Sequence, residues 1–221
     1  MVEISTSILS VKKDEIIKKI YELETSGTDF FHIDVMDGKF VENNTTDLML
    51  LYSEYIKQIS NIPLDIHLMV QDIKTYIESY LILKPGIITF HLEACNSKEE
   101  VFEYIKLIKE NNCKVGISIK PNTNIEKIKD FLPYIHLCLV MTVEPGKGGQ
   151  KLIDSTMKKI EELKKYITDN NLDTFLEADG GINLNNIELI KKLGTDIVVS
   201  GSAIIESKDC KKVIYEMKSE K

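Results

Sequence analysis

Arginine is absent from this chain: all 28 basic residues among its 221 are lysine. A phosphorylated ligand therefore cannot be gripped by a bidentate guanidinium fork, and a phosphate site would have to be built from backbone N–H groups and hydroxyls. Cysteine is sparse. Cys95, Cys113, Cys138 and Cys210 lie far apart with no C-x-x-C pair, which excludes a zinc ribbon or dithiol centre and predicts reduced, mostly buried thiols. No segment approaches the ~18 consecutive apolar residues of a membrane span. The opening Met1-Val2-Glu3-Ile4-Ser5 lacks the basic-then-apolar layout of a signal peptide, so a cytoplasmic location is expected. Excess positive charge is lacking too: a net charge of -7 and a pI near 5.3 argue against nucleic acid or an anionic membrane as the partner. Linkers, low-complexity runs and internal repeats are also missing, and residues 1–221 are expected to form a single domain.

What is present is an alternation of two patterns. Short runs of Val, Ile, Leu and Phe predict strands over residues 3–9, 30–36, 64–69, 87–91, 114–119, 136–141, 174–178 and 196–200. Between them, apolar residues recur at helical spacing: Ile16, Ile20 and Leu23, then Val101, Ile105 and Ile108, then Ile160, Leu163 and Ile167. Lys and Glu fill the opposite faces, as on solvated outer helices. Strict β–α alternation implies a parallel sheet covered by helices, and eight such units predict an α/β fold of the (β/α)8 TIM-barrel type. An open, doubly wound sheet is the alternative, since pattern alone does not close a barrel.

The chemistry-bearing residues cluster at predicted strand ends. In Phe30-Phe31-His32-Ile33-Asp34-Val35-Met36, the side-chain period of two puts His32, Asp34 and Met36 on one face. His67 and Met69 share a face of the third strand, and the seventh ends on Asp179 before Gly180-Gly181. Active sites of these barrels sit at the C-terminal ends of the strands. Two imidazoles and two carboxylates (His32, Asp34, His67, Asp179) could there hold one divalent metal, Zn2+ first, with Fe2+, Mn2+ or Co2+ also suited to N/O ligands. Taken singly, each His reads first as a hydrogen-bonded core or surface residue; the shared position of the set is what favours ligation. His91, with Glu93 at i+2, could line the site or orient a ligand, and stays outside the metal set.

Asp34 and Asp179, on strands two and seven, could flank a substrate from opposite sides, as inversion at a carbon beside a carbonyl requires. The bland alternative for either is a cap or turn former. Glycines at Gly146, Gly148 and Gly149 after the sixth strand, Gly180 and Gly181 after the seventh, and Gly201-Ser202 after the eighth suit close approach of backbone to a phosphate. Met36, Met69 and Met141 are either ordinary core or an apolar layer beside the reacting atoms.

Along essentially its whole length the chain resembles the ribulose-phosphate 3-epimerase family. The matching segments are Ser5-Thr6-Ser7-Ile8-Leu9-Ser10, His32 to Gly38, Asp65 to Val70, Met141 to Gly146, Asp179-Gly180-Gly181-Ile182 and Ser200 to Ile204, in the same order. The resemblance implies a metal-dependent isomerase interconverting D-ribulose 5-phosphate and D-xylulose 5-phosphate at C3, in the pentose phosphate pathway. It puts one divalent metal per subunit on His32, Asp34, His67 and Asp179, with Asp34 and Asp179 also the acid/base pair. It implies substrate contacts from Ser7, His67 and the glycine loops, including Lys147, and makes the three methionines the apolar layer. It also implies a homo-oligomer, dimer or hexamer. Glu42 replaces a usual Pro, Lys147 a usual Phe, and Lys120-Pro121-Asn122 a usual Asn-Pro, which keeps a ketohexose 6-phosphate such as allulose 6-phosphate open as substrate. A lyase of the related phosphate-binding barrels would carry Asp-x-Lys where this chain has Asp65-Ile66-His67. A non-catalytic sugar-phosphate-binding barrel would lack acid/base residues that are all present here.

Overall fold

In the computed structural model, which describes residues 2–219, eight parallel strands pair in chain order and the last closes on the first. They are β1 (Glu3–Ser7), β2 (Phe30–Met36), β3 (Leu64–Met69), β4 (Ile87–His91), β5 (Lys114–Ile119), β6 (Leu137–Met141), β7 (Phe175–Asp179) and β8 (Ile197–Ser200). The α/β barrel expected from the alternation is therefore closed. Strand ends agree with expectation to within one residue, except that β1 stops two residues early, at Ser7.

Eight α-helices lie outside the barrel among the described residues: α1 (Ile16–Ser26), α2 (Thr46–Ile59), α3 (Ile73–Leu81), α4 (Lys98–Glu110), α5 (Ser155–Asp169), α6 (Ile187–Lys192), α7 (Ser202–Ile205) and α8 (Cys210–Lys218). The apolar faces read from the sequence are the buried ones: Ile16, Ile20 and Leu23 on α1, Val101, Ile105 and Ile108 on α4, and Ile160, Leu163 and Ile167 on α5. The alternation is not one helix per strand, however. Between β5 and β6 the described chain makes two 3-10 turns, Ile125–Lys127 and Leu132–Tyr134, and no α-helix. Pro133 lies inside the second turn, where its missing N–H and ring oppose a longer helix. Two helices, α7 and α8, follow β8 instead.

Period two sorts each strand. On β2, Phe31, Ile33 and Val35 join the main apolar core shared with the helices, while His32, Asp34 and Met36 face the barrel axis. The barrel floor is a small apolar layer of Ile87, Leu137 and Ile197 with Phe30 packed against it, all from even-numbered strands. Above it the interior turns polar: Ser5, Asp65 and Glu177, from odd-numbered strands, are buried. Parallel register then sets Asp34 beside His67 and Met141 beside Asp179. Just before β2, Asp29 accepts the Ile4 N–H of β1 at 2.7 Å and pairs with Lys218 of α8 at 2.7 Å. No helix among the described residues is long and apolar enough to cross a membrane.

Candidate active site

The C-terminal ends of the strands open into a cavity of roughly 480 Å³. Asp34 and Asp179 line it, with Met36, Met69 and Met141, and so do Ser7, Gly146, Lys147, Gly148, Gly149, Gly180, Gly181, Gly201 and Ser202. His32 and His67 do not reach the cavity surface; both are fully buried against the two carboxylates. Every residue singled out from the sequence for this site is thus brought to one end of the barrel.

The geometry around the carboxylates is specific. His32 Nε2 lies 3.4 Å from Asp34 Oδ1 and 3.9 Å from Asp179 Oδ2. His67 Nδ1 lies 3.4 Å and 3.7 Å from the same two oxygens. Both ring nitrogens are buried without a hydrogen-bond partner, and the four side chains offer ligand atoms all within 4.8 Å of one another. Buried polar atoms are ordinarily satisfied, so two orphaned nitrogens converging on two carboxylate oxygens are what a cation site looks like. The N2O2 donor set fits a borderline divalent ion. The cluster is arranged to coordinate a metal.

Partners behind these groups fix their state. His32 Nδ1 is 2.6 Å from Asp65 Oδ2, which also accepts from Ser5 Oγ at 2.7 Å. Burial works to lower the pKa of His32, yet Asp65 and Asp34 outweigh it and hold the imidazole well above its usual value. Burial likewise would raise Asp34, but His32 and His67 keep it far below the carboxylate range. Ser7 Oγ donates to Asp34 Oδ2 at 2.7 Å, leaving Oδ1 turned to the histidines. Asp179 goes the other way: burial, then the negative charge of Asp34, push it up to about 6.

Several buried polar residues here were not singled out in the sequence. Asp65 and Glu177 sit two residues before His67 and Asp179, so the period-two rule that paired His32 with Asp34 applies to them equally. Glu177 is fully buried, and burial followed by the Asp65 charge raises its pKa well above the usual range; neither of its oxygens has a hydrogen-bond partner. His67 Nε2 is 3.0 Å from His91 Nε2, and His91 Nδ1 is 3.1 Å from Glu93 Oε2. Burial lowers His91 to about 4, and despite burial its contact with His91 brings Glu93 to about 2.

Two loops frame the mouth. Asp37 pins the β2–α2 loop, accepting from the backbone N–H of Lys39 and Phe40 on one oxygen and of Gln71 on the other. Asn43 of that loop donates to the Gly146 carbonyl at 2.7 Å, and Glu42 stands 3.9 Å from Lys147. Among the described residues Lys147 is the only cationic side chain lining the cavity. Packed against the β6–α5 loop, Gly180 and Gly181 have φ of 126° and 67°, and a Cβ would lie 2.4 Å from Val143 Cγ2 or 2.5 Å from the Leu152 nitrogen, so only glycine fits this turn.

The family model for the ribulose-phosphate 3 epimerase family matches residues 3–205. The chain belongs to the ribulose-phosphate 3-epimerase family. Among curated relatives it is 36% identical to the ribulose-phosphate 3-epimerase of Bacillus subtilis (strain 168), covering 100% of both chains. It is 38% identical to that of Escherichia coli (strain K12), covering 98% of this chain and 95% of the relative. Among solved structures, KGPDC from Streptococcus mutans superposes with a TM-score of 0.73 over 99% of this chain and 96% of that one, at 10% identity, a likeness of fold alone. Within the family frame, the Asp65-Ile66-His67 triplet holds an imidazole at the barrel axis and no lysine.

Proposed function

We propose that this protein interconverts D-ribulose 5-phosphate and D-xylulose 5-phosphate by removing the C3 proton to one carboxylate and returning a proton from a second on the opposite face. The observation that carries this is the convergence of the orphaned His32 and His67 nitrogens on Asp34 and Asp179, at the floor of a cavity faced with methionine. His32, Asp34, His67 and Asp179 would hold the metal, one ion per subunit, with Zn2+ the best match to the donors. Bound there, a divalent ion supplies Lewis-acid stabilisation to the negative charge of an enediolate.

The remaining work falls to the chain. One carboxylate takes the C3 proton from one face and the other returns a proton to the opposite face, the roles exchanging in the reverse direction. Ser7 holds Asp34 in place and reaches the cavity, where it can also meet substrate. Met36, Met69 and Met141 offer no acidic proton and exclude water, so the planar intermediate takes its proton from a carboxyl group and not directly from water. The phosphate is assigned to the glycine turns at 146–149, 180–181 and 201–202, with Lys147 as the nearby cation, consistent with the lack of arginine. We further assign residues 1–221 to one catalytic domain, a homo-oligomer working in the cytoplasm; the four unpaired cysteines support a reducing compartment.

The test is turnover of D-ribulose 5-phosphate by metal-loaded protein, read through an enzyme that consumes xylulose 5-phosphate, after chelation and anaerobic add-back of Zn2+, Fe2+, Mn2+ or Co2+. Activity no greater than that of Asp34→Asn would refute the assignment. Faster turnover of allulose 6-phosphate would move the substrate to the hexulose class.

A further inference from the structure

We infer, building on the metal reading of the site, that Glu93 and His91 are positioning residues that select the tautomer of His67 and so present its Nδ1 lone pair to the metal. The chain of partners leaves little choice. Glu93 Oε1 accepts the Lys120 backbone N–H at 2.7 Å and the Thr123 hydroxyl, and its Oε2 faces His91 Nδ1. A carboxylate can only accept, so the proton of neutral His91 sits on Nδ1. His91 Nε2 is then an acceptor, and the 3.0 Å contact with His67 Nε2 requires the His67 proton to be there. His67 Nδ1 is left with a lone pair facing Asp34 and Asp179, an arrangement that is repulsive unless a cation lies among them. The Phe40 ring, 4.9 Å from that of His91 and capped by Lys120 Nζ at 3.9 Å, holds the relay in register from the β2–α2 loop.

The two metal-facing histidines are therefore backed differently. His32 leans on an anion, Asp65, and turns its Nε2 to the site; His67 leans on a second imidazole and turns its Nδ1. An outer partner of this kind fixes ring orientation and ligand basicity, and its loss typically weakens metal binding about 10–100-fold.

Glu93→Gln tests the inference, because it keeps the shape and reverses the direction. The Lys120 N–H still needs an acceptor, so the amide oxygen stays there and the amide NH2 turns to His91 Nδ1. His91 must then donate from Nε2, which pushes the His67 proton onto Nδ1, into the metal position. Two readouts are needed: long-range 1H–15N spectra of histidine-labelled, metal-free protein for the tautomer, and competition with a chromophoric chelator for Zn2+ affinity. In the unmodified protein His67 should carry its proton on Nε2. In Glu93→Gln the proton should move to Nδ1 and Zn2+ affinity should fall about 10–100-fold. His91→Gln, whose amide can accept from His67 and donate to Glu93, should keep both near their original values. If Glu93→Gln fails to fold, His91→Phe, which strips the acceptor from His67 Nε2, should show the same loss of affinity. An unchanged tautomer and affinity in folded Glu93→Gln, or an original His67 proton on Nδ1, would overturn the inference. Failure of the unmodified protein to bind any divalent metal would instead overturn the metal reading, with the spectra still deciding the tautomer.

Discussion

Asp34 and Asp179 share nearly the same surroundings and are pushed in opposite directions, one far below the carboxylate range and the other up to about 6. If both transfer protons, Asp34→Asn and Asp179→Asn should each lose at least about 10²–10⁴-fold in kcat, the usual worth of a positioned acid or base. The loss should persist at saturating metal in the coupled assay. His32→Ala keeps both carboxylates, so excess metal should restore part of its activity; equal rescue of all three variants would reduce the Asp residues to ligands. The same values set the pH dependence of metal uptake. His32 holds its proton well above its usual pKa, and Asp179 gains one as pH falls through about 6. Metal must displace these protons, so affinity should fall with acidification, and more steeply once pH drops through about 6. Titration calorimetry in buffers of different ionisation enthalpy would count them. At this scale the sequence was legible where two chemistry-bearing residues shared one face of a strand, as His32 did with Asp34. Asp65 and Glu177 were left out of the site because each stands two residues before the chemistry-bearing residue nearer its strand's end, at positions where a barrel interior is ordinarily filled with Val, Ile or Leu.

The β2–α2 loop is the element that joins the mouth to the interior. Asp37 fastens its base through three backbone N–H groups, Phe40 stacks on His91, and Asn43 reaches across to Gly146. Removing the last contact with Asn43→Ala should free the β6–α5 loop, raising KM for the sugar phosphate several-fold while leaving kcat at saturation within about twofold, as expected when binding common to ground and transition states is lost. Steady-state kinetics against the unmodified protein would check it, and a fall in kcat with unchanged KM would show that the clasp acts on chemistry instead. Strands were easier to read than helices at this scale. Period two marks a strand within six residues, whereas the segment between β5 and β6 has apolar residues enough for a helix and is held to 3-10 turns by one proline. The cross-loop contacts had no sequence signal at all, since Asn43 and Gly146 meet only because the barrel brings their loops together.

For the whole molecule, stability should rise with metal. The interior above the floor is polar and ionisable, so a bound cation stabilises the folded chain by neutralising charges that the unfolded chain leaves in water. At 100 times the dissociation constant the gain is about 2.7 kcal/mol, which for a chain of this size corresponds to a rise of roughly 5–10 °C in Tm. Thermal melts with metal and after chelation would measure it, and Asp179→Asn should shrink the difference. Fold class was legible across the chain because eight similar units leave few alternatives; closure itself appears only in the pairing of β1 with β8.

That pairing carries a consequence for how the protein is made. His32, Asp34 and His67 leave the ribosome within the first third of the chain, but Asp179 follows only after about four-fifths of it, and the Asp29–Lys218 clasp comes last of all. A nascent chain can offer three ligands early yet cannot assemble the fourth beside them until β7 docks against β6. The complete four-ligand set is thus a late, post-assembly feature, and a product stalled before β7 would be released without it.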